Sequence, residues 1–343
     1  MVDPGAPTAT IAGMVACGAS GTSAVKYGTI RDNVLACTIV LADGSIVNVG
    51  TRSLKNSAGF DLRGLICGSE GTLGVIVSLT VRLHPLPGCT TAVVADFECL
   101  RGAANAVGEV VAGCPGALAR CELLDEMSVQ AFNQYISSRD NATVEDALQE
   151  RPHLFLEFEG PTDDVVTAYV KVATEILNDH GCMTLKTASG EKERRDLWSA
   201  RHSLYYAALA LRGGDAAGFV TDACVPLGSL PDLIEATTED VKRLGVVGPC
   251  FGHAGDGNFH CILPILEGDS EKYRAAVNEV NDNLIRRTMR AGGSCTGEHG
   301  VGVGKVKYLE WQYGAGACEM MKAIKMAVDP KNIMNPGKIV MHD

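Results

Sequence analysis

Two histidines seven residues apart, His253 and His260, bracket the run Gly252-His-Ala-Gly-Asp-Gly-Asn-Phe-His260. On one continuous strand, side chains seven apart face opposite sides of the sheet, so the rings converge only if the chain bends between them. Gly255-Asp256-Gly257 supplies residues suited to that bend. Two neutral imidazoles aimed at one point suit a borderline divalent ion, zinc or manganese, once a carboxylate completes the set. Glu298, in Gly297-Glu-His-Gly300, is the candidate carboxylate. His299 beside it would be kept neutral by a nearby cation and so would serve as a general base. The alternative is that His253 and His260 are hydrogen-bonded loop histidines and that His299 only supports its neighbours. His84, His153, His180, His202 and His342 stand apart from such groupings and read as structural or surface residues.

Binding chemistry is indicated at two further places. The small-residue run Gly13-Met-Val-Ala-Cys-Gly-Ala-Ser-Gly21, followed by Lys26-Tyr-Gly28, would bring backbone N–H groups close to a flat or anionic ligand such as a dinucleotide pyrophosphate. Tight turns use the same letters. No strict G-x-G-x-x-G is present, and Gly304-Lys305 lacks the upstream glycine and the following Ser/Thr of a phosphate-binding loop. A nicotinamide Rossmann domain and a nucleotide triphosphatase are therefore disfavoured. Arg201 closes the charged run Glu193–Arg201, which opens a helix continuing through Tyr205-Tyr206. Its planar fork suits both oxygens of a small carboxylic acid, although charge runs of this kind are commonly solvated.

The elements that must carry these groups alternate along the chain. Strand-like runs at 35–41 and 45–49, separated by Asp43-Gly44, predict a hairpin closed by a type I′ turn. Residues 75–81 predict another strand, and Pro85 and Pro87 mark a domain boundary. Helical periodicity follows at 101–113, 121–137, 162–180, 190–212, 228–244, 270–291 and 315–328, with strand-like runs at 91–97, 154–159, 218–224, 246–251 and 258–264. The strands are short and lack the Val/Ile-rich runs of buried parallel sheets, so the expected class is α+β with an antiparallel sheet in the second region.

With 343 residues, 46% of them apolar, the chain can bury one large or two ordinary cores. Its 30 basic and 41 acidic residues give a net charge of −11, and that field opposes nonspecific nucleic-acid binding. Thirteen cysteines, odd in number and with no C-x-x-C pair, point to reduced thiols used mostly as small buried residues. Apolar stretches such as 204–211 fall short of the roughly 20 residues that a bilayer span needs. Met1–Gly5 shows no targeting peptide, which leaves a cytoplasmic protein or a chain whose natural start lies upstream.

Six runs then stand in one order: Asp3-Pro-Gly-Ala6, Gly13–Gly21, Gly68-Ser-Glu-Gly-Thr-Leu-Gly74, Gly252–His260, Cys295-Thr-Gly-Glu-His-Gly300 and Met334-Asn-Pro-Gly-Lys338. Together they resemble the FAD-linked D-2-hydroxy-acid dehydrogenases, most of all their mitochondrial, D-lactate-oxidising and cytochrome-reducing branch. The resemblance implies the vanillyl-alcohol-oxidase, or PCMH-type, fold. Residues 1–85 would form the second half of the FAD-binding domain, 86–290 a cap with an antiparallel sheet and helices, and 291–343 a segment returning to the flavin. It implies FAD and a divalent metal, with His253, His260 and Glu298 holding the metal. His299 would take the hydroxyl proton while a hydride passes to the flavin, with Arg201 and Asn258 at the substrate. Gly13, Ala16, Ser20, Gly21 and Ile76 would line FAD, and Asn335 would lie near its ring.

The implied partners are a short 2-hydroxy acid and an acceptor such as cytochrome c, with a homodimer as one assembly; the implied location is mitochondrial, though no presequence is visible. Val220 and Ile262 stand where D-2-hydroxyglutarate-oxidising relatives carry a lysine and an asparagine, so lactate fits better than a diacid. Family members begin well upstream, with a glycine-rich loop on the FAD pyrophosphate. The expectation is therefore exposed sheet edges and weak or absent FAD binding by this chain. A catalytically incomplete metal-binding or protein-interaction module is the alternative reading, and a flavin-free metal hydrolase ranks third because no further carboxylate stands out to activate water.

Overall fold

The computed structural model describes residues 8–137, 147–213 and 215–340. Two units organise it: Met1–Pro85 with Ser294–Asp343, and the continuous segment Leu86–Gly293. In the first, β-branched runs form β1 (Val34–Val40), β2 (Ile46–Gly50) and β3 (Val75–Val81), paired antiparallel in the order β2-β1-β3. The hairpin turn differs from the type I′ expectation. Gly44 alone in the loop takes a positive φ, +85°. Its N–H bonds to Leu41 O while Leu41 N–H reaches Ser45 O, each at 3.0 Å. Asp43 instead accepts from the N–H and hydroxyl of Ser45 at 2.9 and 2.6 Å, so a three-residue loop with a left-handed glycine closes the strands.

One face of that sheet buries Cys37, Ile39 and Val49 with Ile66 and Leu73, against Ile324 and Val328 of the helix Ala315–Val328. Lys325 of the same helix is buried and ion-paired with Asp329. Its ammonium also donates to Thr72 O and Met334 O at 2.8 and 2.7 Å, tying three distant segments together. A helix not foreseen in the sequence, Ile11–Cys17, is capped by the Thr10 hydroxyl accepting from Gly13 N–H at 3.1 Å.

The second unit is built on β4 (Cys89–Phe97), β5 (Leu118–Leu124), β6 (His153–Gly160), β7 (Cys182–Ala188), β8 (Ala217–Val220), β9 (Ala223–Cys224), β10 (Cys250–Gly252) and β11 (Asn258–Ile265). The order is β7-β4-β6-β5-β10-β11-β8, with β9 also on β11, and every pairing is antiparallel. This is the mixed helix and antiparallel-sheet class read from the sequence. Four local expectations fail. Residues 121–124 belong to β5, and the helix starts only at Glu126; 190–212 is two helices, Glu191–His202 and Leu204–Ala210; the run expected at 246–251 is a strand only from Cys250, in β10; and β7 was not anticipated. One face of the sheet meets these helices in a cluster of Leu124, Val129, Phe132, Phe155, Trp198, Leu204, Ala208, Phe251 and Ile262.

All thirteen cysteines are free thiols, with Cys37, Cys67, Cys114, Cys121, Cys250, Cys261 and Cys295 buried. Among the described residues no helix is long and apolar enough to cross a membrane.

Candidate active site

β10 ends at Gly252, a 3-10 turn spans Ala254–Asp256, and Gly257 at φ +80° starts the return along β11. A Cβ on Gly257 would lie 1.9 Å from Val225 O, so only glycine fits there. This bend brings the His253 and His260 rings to 5.7 Å between centroids, with planes at 84°. A ring nitrogen of each lies within 4.8 Å of the other.

His253 Nδ1 sits 2.7 Å from Glu122 Oε1, and His260 Nδ1 sits 3.1 Å from Thr221 O. Both partners are acceptors, so both Nδ1 atoms donate, and in a neutral ring the lone pair then sits on Nε2. That tautomer is the usual one for metal-bound histidines whose other nitrogen is anchored. Next to His260, Asn258 donates through Nδ2 to Asp222 Oδ1 and Ala223 O at 2.9 and 3.0 Å. Its Oδ1 is buried without a hydrogen-bond partner among the described residues. Two anchored imidazoles beside an orphaned amide oxygen form a donor set that fits a borderline divalent cation.

Glu122 is a buried acid at this site that the sequence reading did not single out. It is wholly buried in β5, and its Oε2 accepts from Arg201 Nε and Nη2 at 3.0 and 2.5 Å. Burial pushes this carboxyl upward, but the Arg201 charge and the hydrogen bonds from His253 and Arg201 outweigh it and hold the group below its ordinary range. Arg201, on the last turn of Glu191–His202, is 6% exposed and lies 4.8 Å over the Phe251 ring. Its Nε–Nη2 edge is committed to Glu122. Val220 and Ile262 are direct cross-strand partners on β8 and β11, and both belong to the apolar cluster beside this network.

Glu298 and His299 lie in the other unit. His299 Nε2 is 3.8 Å from Glu298 Oε1, with the His299 side chain 42% exposed and that of Glu298 10%. The backbone just beyond them is clamped by Glu70, whose carboxylate accepts from Val301 N–H and Gly302 N–H at 2.5 and 2.8 Å. Gly300 has φ +77°, and a Cβ there would be 2.6 Å from Glu70 Oε1. Glu70 N–H also donates to Ala16 O at 2.7 Å, and Asn335 Nδ2 donates to Glu70 O at 2.5 Å. Ala16, Asn335 and the segment after His299 are thus joined through one residue.

Of the other residues expected along FAD, Ser20 and Gly21 are buried, Gly13 is exposed on its helix, and Ile76 is half-buried against both apolar clusters of the small sheet. Thr22 Oγ1 is buried with no partner among the described residues. Small residues around an orphaned hydroxyl fit a closely approaching nucleotide.

The fold is that of PCMH-type FAD oxidases. An alkyldihydroxyacetonephosphate synthase superposes with a TM-score of 0.68 at 21% identity, over 98% of this chain and 60% of that one. A p-cresol methylhydroxylase with substrate bound gives a TM-score of 0.68 at 15% identity, over 94% and 68%. The profile of the C-terminal domain of FAD-linked oxidases matches residues 86–339, and that of an FAD-binding domain matches residues 1–50. The chain belongs to the FAD-linked oxidase family.

It is 41% identical to a probable mitochondrial D-lactate dehydrogenase of Danio rerio over 99% of this chain and 66% of that protein. A mitochondrial D-lactate dehydrogenase [cytochrome] of Arabidopsis thaliana is 38% identical over 99% and 58%. For a D-lactate dehydrogenase of Archaeoglobus fulgidus the values are 35%, 98% and 71%. The chain spans 66% and 58% of the first two relatives' own length.

Proposed function

We propose that this chain forms the substrate-oxidising part of an FAD-linked D-2-hydroxy-acid dehydrogenase that converts D-lactate, or a similarly short acid, to the 2-oxo acid. The observation that carries this reading is the pair of anchored imidazoles, His253 and His260, beside the buried Glu122–Arg201 pair. The names of the relatives support it for the substrate, the cytochrome acceptor and a mitochondrial location.

In this reading residues 1–85 serve flavin binding, 86–290 the acid, and 291–343 the return to the flavin. FAD would supply the hydride acceptor. Gly13, Ala16, Ser20, Gly21, Ile76 and Asn335 would hold it. A divalent metal would supply Lewis-acid polarisation of the bound acid. His253 and His260 would hold it through Nε2, with Glu298 assigned as the third ligand by sequence resemblance. His299 takes the hydroxyl proton, and the Nη1 end of Arg201 together with Asn258 orients the acid. The apolar Val220–Ile262 pair offers a charged side chain no partner, which selects a short, uncharged one.

The test is dye reduction by the chain with Zn(II) and a large excess of FAD, which offsets the weak flavin binding expected of it, comparing D-lactate with D-2-hydroxyglutarate. The expected result is D-lactate-dependent turnover, lowered about 100- to 10,000-fold in His299→Ala as the base is lost. D-lactate turnover unchanged in His299→Ala, or a preference for the diacid, would overturn the assignment.

A further inference from the structure

Glu122 touches neither the cation nor the acid in the reading above, yet it contacts one group assigned to each. The register explains how. Phe251 pairs with Leu124 and Gly252 with Leu123, so one step further along the two antiparallel strands sets His253 opposite Glu122. Residues paired across strands share a face, and the Glu122 carboxylate therefore meets the imidazole directly, at 2.7 Å. Its other oxygen takes two N–H groups of Arg201.

Stability alone does not account for this carboxylate. A buried ion pair gains little over apolar residues of similar volume, and Glu122 sits in β5 among buried Cys121, Leu123 and Leu124. What a carboxylate supplies here and an apolar side chain cannot is orientation.

We propose that Glu122 is a positioning residue that fixes the His253 tautomer and the Arg201 guanidinium together, so that metal affinity and acid recognition depend on one side chain. This rests on the metal role proposed for His253. Glutamine at 122 is informative because of its asymmetry. Arg201 presents two charged N–H donors and His253 one, so the amide oxygen turns to Arg201 and the amide NH2 to the ring. His253 Nδ1 must then accept, its proton moves to Nε2, and the nitrogen that faced the metal is blocked.

The experiment is long-range 1H–15N correlation of the histidine rings in the labelled chain at pH 7.5, with His253 assigned through His253→Gln, plus competition with a chromophoric chelator for Zn(II) alone. Wild type should show His253 protonated at Nδ1. Glu122→Gln should show it protonated at Nε2, with zinc affinity lower by about 10- to 100-fold. Wild-type His253 protonated at Nε2 overturns the proposal, and this measurement needs no variant that must fold. A Glu122→Gln chain with wild-type melting, tautomer and zinc affinity overturns it as well. A wild-type chain that ignores zinc but shows the tautomer change in Glu122→Gln upholds the positioning role and sinks only the metal reading.

Discussion

Asp125→Asn should make the larger unit more stable at neutral pH, and the gain should vanish in acid. Asp125 caps the helix Glu126–Ser137, accepting through Oδ1 from Ser128 N–H and Oγ at 2.8 and 2.6 Å. Burial pushes its carboxyl up from 3.8 to about 6, against the pull of those Ser128 bonds. A rise of about two pH units corresponds to about 3 kcal/mol between the protonated and ionised folded forms. The folded chain takes up this proton before the unfolded chain does, so stability rises as pH falls through about 6 and levels off below about 4.

Above that window the ionised group costs the full amount. Asparagine keeps the capping oxygen without the charge, at the loss of a few tenths of a kcal/mol of favourable interaction with the helix dipole. The expected gain is about 2–3 kcal/mol at pH 7.5 and about zero at pH 4. Urea unfolding followed by tryptophan emission reads this unit, because Trp198 is 5% exposed whereas Trp311, in the other unit, is 51% exposed. Equal stability of the two proteins at pH 7.5, or an advantage of the Asp125→Asn chain that persists undiminished at pH 4, would refute the reasoning.

Lys325→Met should destabilise the smaller unit by about 3–5 kcal/mol, since it strands the buried Asp329 carboxylate. Burial raises the Asp329 carboxyl, but its bonds to Lys325 and to the Met334 and Ile333 N–H groups bring it below its ordinary range. In wild type its stabilisation is present above the ordinary carboxylate range and is lost only as pH falls through the lowered value, whereas the stranded carboxylate of the variant, raised by burial alone, takes up its proton earlier, so the melting deficit of the variant should shrink as pH falls toward 4. Gly257→Ala should abolish zinc binding by the hairpin, because its Cβ meets Val225 O; isothermal titration with Zn(II) checks it. Glu70→Gln should cost about 1–3 kcal/mol locally and speed amide exchange at Val301 and Gly302, measured by hydrogen exchange.

Strands with β-branched or alternating character, such as β1, β3 and β11, were legible because period and propensity agreed. β5 was not. Leu-Ala-Arg-Cys-Glu-Leu-Leu is rich in helix formers, and a strand buried on both faces shows no alternation, so tertiary pairing with β6 and β10 decided its state. The helix at 11–17 hid in glycine and alanine, which give periodicity no contrast. The His253–His260 bend was readable because it is local and made of glycines. Glu122 lies 131 residues from His253, and its one sequence signal was an acid alone in an apolar strand, a pattern with meaning only once β5 and β10 are neighbours.

The smaller unit is assembled from two stretches that flank the larger one in the chain. On the ribosome, Cys37, Ile39, Val49, Ile66 and Leu73 emerge first, while Ile324 and Val328, which close over them, arrive after about 250 further residues, tens of seconds later at ordinary synthesis rates. The intervening segment is contiguous and can complete its own sheet in that interval. The nascent protein therefore carries an unfinished apolar surface on this small sheet until the later stretch arrives, and folding helpers that shield such surfaces will act on it during translation.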